Sequence, residues 1–526
     1  MPRIVLKQSC MEIQDYDWGM CPRLENQFML WDKTNFRPYK FGLDYDEEKR
    51  ILYIPRGYDV YMVEQYLGEV AHIDNKYVKP KEVGNFKLKT QPRDDLQKEA
   101  LQFMIGTGKY KRNERLSQLS VNLSTGKGKT YLSIAMASYY EYPTIIISPS
   151  SGWNEQWIER FLEYCDVSKK ETCNIQGSAM INKLLKVSDP NYKFYVVTHS
   201  TLQSYASTYG WDAIGDLFNH LRIGIKVFDE AHMNFINTSL IDAHTNVYRT
   251  YYLTATPSRS NEDEAKVYYK YFKNVPSIDL FDEENDPHTK YIAIKFNSHP
   301  TVYEVNRLKN QYGLDINGYI DYLSEKPIFY QIARIMVDLG IKCNGKVLFY
   351  IGTNKAVLKF YDWFRMNYSE FADDIGIYTS IVKDAKEKET VKNKRFIIST
   401  LKSAGAALDI KGLKMTVVLN NPFKSLVLAQ QSLGRTRDPN TFYIECVDTG
   451  FSYTNKFYRY KKQIFEKYAT SVSEMHLGDD EILRRNDIII NNRIATAVPL
   501  FRMPLIYEYG EDEEVRKQSI PLFRFI

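Results

Sequence analysis

The chain of 526 residues has no Cys-x-x-Cys pair; its six cysteines, Cys10, Cys21, Cys165, Cys173, Cys343 and Cys446, are scattered. That spacing argues against a zinc site or a disulfide framework and points to a reducing compartment. No run of about 18 unbroken apolar residues is available to span a bilayer. The N-terminal "MPRIVLKQSCMEIQDYD" lacks the apolar core of a signal peptide. Short-period repeats and low-complexity tracts are absent as well. Charge of one sign is in short supply: 70 Lys and Arg against 65 Asp and Glu leave a net charge of +5. Such a balance allows a polyanionic partner without requiring one. These absences describe an intracellular, soluble, cytoplasmic protein with no membrane partner.

What is present is ordinary globular material, 44% hydrophobic and 26% charged, in a chain long enough for three or four domains. The first eighty-odd residues read as short strands broken by polar turns ("FMLWDKT", "YKFGLDYD", "RILYIPRGYDVYM"), then a short helix in "VYMVEQYLGEV". A linker-like stretch, "YVKPKEVGNFKLKTQPRDD", sets a boundary near residue 88. Beyond it, buried β-rich runs alternate with helical segments, in "LSQLSVNLS", "TIIISP", "FYVVTH", "IKVFDE" and "YYLTAT". A second series follows from 346 to 448: "KVLFYIG", "IGIYTS", "RFIIST", "MTVVLN" and "FYIECVD". Alternation of this kind predicts parallel sheets covered on both faces. The fold class expected is α/β, two units in tandem with a β-rich N-terminal domain and a short C-terminal extension. The expected divisions are 1–88, 89–275, 276–475 and 476–526. Region 260–345 reads as polar and mixed, with "DLFDEENDPHTK" an exposed loop and the terminal "IPLFRFI" a docked strand.

The stretch "NLSTGKGKT", 122–130, lies between a buried strand and the helical "YLSIAMASYY". The usual phosphate-loop rule asks for glycine where this chain has Leu123, but the rest fits. Gly126 and Gly128 let backbone amides turn toward phosphates, and the helix start adds its positive dipole. Lys129 is placed to neutralise the β- and γ-phosphates and Thr130 to ligate magnesium. About a hundred residues on, "GIKVFDEAH" puts Asp229 and Glu230 at a strand end. Asp229 suits magnesium, through water, and Glu230 suits orienting or deprotonating the attacking water. A glycine turn or an acidic strand end is common alone. The two together point to hydrolysis of a nucleoside triphosphate.

The order of the remaining stretches carries a resemblance. "DEAH" at 229–232, "LTATPSR" at 253–259 and "QSLGRTR" at 431–437 resemble motifs II, III and VI of superfamily 2 helicases and translocases. "LSTGKGKT" is similar to motif I, "IIISPSSGWNEQW" to motif Ia with Pro149, Gln156 and Trp157, and "VVTHSTL" to motif Ib. "YIGTNKA" resembles motif IV, "STLKSAGAALDIKGL" motif V, and "RDDLQKEAL" the glutamine motif through Gln97. The likeness runs over roughly residues 90–450.

The resemblance implies two RecA-like domains with ATP and Mg2+ bound in the cleft between them. Gln97, Ser124, Thr125, Gly126, Lys127, Gly128, Lys129 and Thr130 would bind the nucleotide, and Thr130 and Asp229 the metal. Lys129, Asp229, Glu230 and His232 would serve catalysis, with Arg435 and Arg437 as arginine fingers. Thr254, Thr256, Gln431 and Asp409 would couple the nucleotide to the track. Motif VI normally spaces its arginines by three, whereas Arg437 follows Arg435 by two; motif V has Ala407 where glycine is usual. Pro149, Thr198, Ser200, Thr353, Lys355 and Thr400 are the nucleic-acid candidates. Thr198, Ser200, Thr353 and Lys355 fit helix caps as well as phosphate contacts.

"QW" in motif Ia and "LTATPSR" differ from the DEAD-box RNA helicases and look closer to phage recombination helicases and their nucleotide-excision-repair relatives. The implied activity is an ATP-dependent DNA helicase or translocase on forks, junctions or displaced strands, moving 3′ to 5′ and of phage origin. The N-terminal module, with "YIPRGY", would grip duplex DNA, although Arg56-Gly57 also suits a plain turn. A duplex translocase without unwinding, an RNA helicase or transcription-linked ATPase, and a nucleic-acid scaffold with a switching ATPase stand as alternatives. Partners are thus DNA, single-stranded or branched, with RNA open; protein partners are not indicated.

Overall fold

The computed structural model describes residues 2–497 apart from 33–36, 69–71, 77–79, 81, 84–85, 112–116, 124–127, 255–261, 281–288, 311–312, 383, 405–409 and 434–439. It divides into two compact units, Met1–Glu283 and Glu284–Ile526.

The first unit starts with seven short strands: β1 (Arg3–Lys7), β2 (Cys10–Gln14), β3 (Met29–Asp32), β4 (Arg37–Lys40), β5 (Asp44–Asp46), β6 (Ile51–Pro55) and β7 (His72–Lys76). Five of them form a sheet ordered β5-β6-β2-β1-β7, and β3-β4 is a separate hairpin. The helix Val60–Leu67 stands where the sequence put it, capped by Asp59. β1, β2 and β7 were not legible in advance, being five-residue strands without a long apolar run.

The main sheet of this unit comprises β8 (Gln118–Leu123), β9 (Thr144–Ser148), β10 (Thr172–Ile175), β11 (Phe194–Thr198), β12 (Ile225–Phe228), β13 (Arg249–Thr254) and β14 (Ser277–Leu280). Its order is β10-β11-β9-β12-β13-β8-β14, with every pairing parallel. β14 pairs with β8, so the stretch just past residue 275 belongs to this sheet. Side chains on one face join the helices Lys129–Tyr140 and Ser151–Tyr164 in one apolar cluster. On the other face, Ile145, Val197, Phe228 and Tyr252 share a cluster with Ile4, Ile13, Phe28, Phe41 and Leu52 of the N-terminal module. Among the described residues, the module's core is therefore continuous with that of the main sheet. Gly57 is part of this seam: a Cβ there would lie 2.2 Å from the Tyr271 carbonyl oxygen, so only glycine permits the close approach. The linker is tied down too, with Lys89 N donating to Tyr164 O at 2.7 Å and Asp166 N to Lys87 O at 2.8 Å.

The second unit contains β15 (Thr289–Phe296), a two-residue-per-strand hairpin β16 (Lys309–Asn310) and β17 (Gly313–Leu314), then β18 (Lys346–Tyr350), β19 (Ile375–Tyr378), β20 (Phe396–Ser399), β21 (Leu413–Val418), β22 (Thr441–Asp448) and β23 (Ser471–His476). Its parallel sheet runs β19-β20-β18-β21-β22-β15-β23. Two seven-stranded parallel sheets with flanking helices follow one another along the chain, as the alternating pattern implied, and match the two RecA-like domains that the resemblance implied. The expected loop at 279–290 is bounded by strands at both ends, since its first residues close β14 and its last two open β15; 281–288 lie outside the described residues. The extension begins as the helix Asp479–Ala497, which buries Ile482 and Ile489 in the core of this unit. Residues 498–526, with the expected strand "IPLFRFI", lie outside the described residues. Among those described, no helix is long and apolar enough to cross a membrane.

Candidate nucleotide site

All six residues of β8 are buried, and the strand leads into the loop whose Ser124, Thr125, Gly126 and Lys127 lie outside the described residues. Gly128 closes that loop with φ 90° and ψ 31°, a left-handed conformation that L side chains rarely adopt, and caps the helix Lys129–Tyr140. A Cβ on Gly128 would also meet Gln97 Nε2 at 2.3 Å. Gln97 is thus brought against the phosphate loop from the separate helix Asp95–Ile105. Its backbone N–H donates to Asp94 Oδ1 at 2.8 Å, and its Oε1 accepts from Arg93 N at 2.9 Å. Thr130, in the first helical turn, is half-buried.

β12 delivers the two carboxylates. Asp229 N donates to Ile147 O at 3.0 Å, prolonging the ladder with β9 by one residue. Glu230 then takes φ 48°, a left-handed geometry costing of order 1–3 kcal/mol in a non-glycine residue. The sharp turn lets Ala231 N reach Leu253 O at 2.8 Å, so the Asp-Glu-Ala-His segment folds over the end of β13.

Lys129 Nζ lies 3.1 Å from Glu230 Oε1, and each side chain is only about a tenth exposed. Trp157 Nε1 donates to Asp229 Oδ2 at 3.0 Å. His232 Nδ1 is 2.7 Å from Thr254 Oγ1 and 3.4 Å from Glu230 Oε2. One chain of contacts therefore runs Lys129–Glu230–His232–Thr254, joining motifs I, II and III. Burial, then the Glu230 carboxylate, push Asp229 up to about 6, against the opposing pull of Lys129 and the Trp157 N–H. Two buried carboxylates facing one ammonium form a donor set that a divalent cation suits, since it would offset the surplus negative charge.

Trp157 is the residue whose place sequence reasoning missed. Its "QW" signal put it in motif Ia beside the nucleic-acid candidates, whereas its indole serves Asp229. Pro149 is half-buried between β9 and the helix Ser151–Tyr164. Thr198 caps the helix His199–Tyr209, its Oγ1 accepting from Thr201 N at 3.1 Å and lying 2.9 Å from Ser200 Oγ. Thr353 caps Asn354–Asn367, accepting from Ala356 N at 3.2 Å. Thr400 accepts from Ser403 N at 3.1 Å, and Lys355 Nζ pairs with Asp321 Oδ2 at 3.2 Å. Capping is thus one role of all three threonines. Capping by itself leaves a hydroxyl its proton to donate, and that of Thr400 goes to Ser403 Oγ at 2.9 Å. Thr256, Asp409, Arg435, Arg437 and the Gln431 side chain lie outside the described residues; the Gln431 backbone is in the helix Leu426–Leu433.

Residues 90–259 match the family model for the type III restriction enzyme, res subunit. The chain is 24% identical over 358 residues to transcript termination protein A18 of Yaba-like disease virus, covering 63% of this chain and 67% of that protein. Among solved structures it is similar to S. cerevisiae Dbp5 bound to RNA and ADP BeF3, with a TM-score of 0.47 and 14% identity, covering 76% of this chain and 93% of that one. T4 UvsW is similar with a TM-score of 0.35 and 15% identity, covering 90% of this chain and 99% of that one.

Proposed function

We propose that the chain is an ATP-driven DNA helicase or translocase of superfamily 2 that remodels forks, junctions and displaced strands, a reading supported by the family-model match over residues 90–259. The observation carrying this reading is the contact chain from Lys129 through Glu230 and His232 to Thr254. Lys129 exchanges Glu230 for the β- and γ-phosphates when ATP enters, because the phosphates offer it the greater negative charge. Glu230, released, orients the attacking water and takes up its proton. Thr130 and Asp229 would hold a magnesium ion, which neutralises charge on the transferring phosphoryl group. Trp157 fixes the Asp229 carboxylate by its indole N–H. Arg435 and Arg437 would supply positive charge to the transferring phosphoryl group.

His232 bonds Thr254, so a shift of Glu230 reaches motif III, and Thr256, Gln431 and Asp409 carry it onward. Thr198, Ser200, Thr353, Lys355, Thr400 and Pro149 line the strand by phosphate contacts that favour no base. The role fits replication, recombination or repair of a phage or other viral genome, in the host cytoplasm. A transcription-linked ATPase is the second reading, favoured by the likeness to a viral transcript termination protein.

Strand displacement on forked DNA, blunt duplex DNA and RNA duplex tests the proposal. Release from forked DNA in the presence of ATP is expected. Release from the RNA duplex alone, or ATP consumption with no strand released, would contradict it.

A further inference from the structure

The turn between β1 and β2 reaches the roots of the three strands that deliver the nucleotide site. Ser117 Oγ donates to Gln8 O at 2.5 Å, and Gln118 Nε2, at the start of β8, donates to Ser9 O at 2.9 Å. Gln8 N donates to Asn246 Oδ1 at 2.9 Å, in the segment leading into β13, and Cys10 Sγ to Ala243 O at 3.2 Å, at the end of the preceding helix Phe235–His244. Ser9 Oγ lies 3.4 Å from Lys226 Nζ on β12.

Behind this turn is a buried polar cluster. Lys226 has no solvent exposure, and its ammonium sits 2.7 Å from both Asp242 Oδ1 and Thr245 Oγ1. The other Asp242 oxygen accepts from Tyr252 OH on β13 at 2.6 Å and from Tyr271 OH at 2.5 Å. Gln118 Nε2 donates to Tyr252 OH as well, at 2.7 Å. One carboxylate therefore ties β12 and β13 directly and β8 through Tyr252. A buried pair of this kind is weak as a source of stability but strong in fixing geometry once every partner is satisfied.

Motif I follows β8, motif II follows β12, and Thr254 ends β13. Lys226 is four residues from Glu230, about 13 Å along a strand. We propose that the Gln8–Cys10 turn and the Lys226–Asp242–Tyr252–Gln118 cluster form one clasp that sets the relative positions of these three strands. The N-terminal module is thereby a positioning part of the nucleotide site. This rests on the ATPase reading for its effect on turnover, and on geometry alone for its effect on the strands.

The test uses the full chain with Tyr252→Phe and Gln118→Met, which delete clasp hydrogen bonds and keep the packing. Hydrogen exchange of the Ala231 and Met233 amides is expected to quicken at least about tenfold in each variant, beyond any change in the helices of the unit. Turnover should fall about five- to tenfold with KM for ATP unchanged. Exchange that rises only around residues 8–10 and 242, or equally everywhere with a lower Tm, would overturn the clasp. So would normal exchange with normal kcat. Should the unaltered protein hydrolyse no ATP, the proposed function fails on its own, while the exchange result still decides for or against the clasp.

Discussion

Each RecA-like unit hides a lysine paired with a carboxylate, and the two pairs are closed in different ways. In the first unit Lys226 and Asp242 are joined by Tyr252, Tyr271, Gln118 and a serine from the N-terminal module. In the second, Lys461 pairs with Glu445, which also accepts from Tyr291 OH at 2.7 Å, and the ammonium lies 3.4 Å from the centre of the Phe423 ring. The second pair fastens one helix, Ser452–Tyr468, to β22 and β15. The first spans three strands that each end at a nucleotide motif. A similar solution to burying charge thus serves local packing in one unit and site geometry in the other.

The sharpest way to break the comparison is at the chemistry. Lys129→Ala in the first unit and Arg435→Ala in the second should each lower kcat by about 10^3-fold or more. Lys129→Ala should also weaken ATP binding, and Arg435→Ala should spare it. Steady-state kinetics with nucleotide-binding titrations separates the two; equal weakening of binding would place Arg435 on the ground-state nucleotide. Next come the buried pairs. Lys226→Ala and Lys461→Ala each strand a buried carboxylate and should cost about 3–5 kcal/mol of stability. Thermal unfolding would register both, and a Lys461→Ala variant with altered exchange at Glu230–Met233 would erase the distinction between the pairs.

Acid separates the units further. His199 is buried against Phe228, and burial pulls its pKa down from 6.5 to about 4. The unfolded chain binds a proton there that the folded chain refuses, so stability is whole above about pH 6.5 and is lost as pH falls toward 4. The loss is on the order of 3 kcal/mol. His199→Leu should flatten that slope in the first unit, as read by pH-dependent unfolding; His299 of the second unit is well exposed and offers no counterpart. The smallest effects belong to the caps. Thr198→Ala and Thr353→Ala should each cost about 1 kcal/mol. Weaker nucleic-acid binding beyond that cost would assign the hydroxyls to the track; unchanged binding would leave them as caps only.

The central strands were legible because β8, β9, β11, β12 and β13 are buried throughout and read as apolar runs. β10, β14 and β23 were not: they are edge strands, and in β14 and β23 exposure interrupts the apolar pattern. β15 was hidden by its lysines, Lys290 and Lys295, on an otherwise buried strand. Lys129, Asp229 and Glu230 stood out because phosphate chemistry restricts what can occupy a loop and a strand end. The Trp157–Asp229 and His232–Thr254 contacts join residues 72 and 22 positions apart, which only sheet order brings together. Lys226 was invisible for a similar reason. In "IKVF" it reads as a polar interruption, and its partner Asp242 lies on a different element.

The most direct measurement is ATP hydrolysis with and without single-stranded DNA, branched DNA and RNA, in the unaltered protein, Lys129→Ala and Glu230→Gln. The account predicts that DNA, branched most of all, raises turnover and that both variants lose it, with Glu230→Gln still binding ATP. Turnover that no nucleic acid changes, or that survives either substitution, would contradict it.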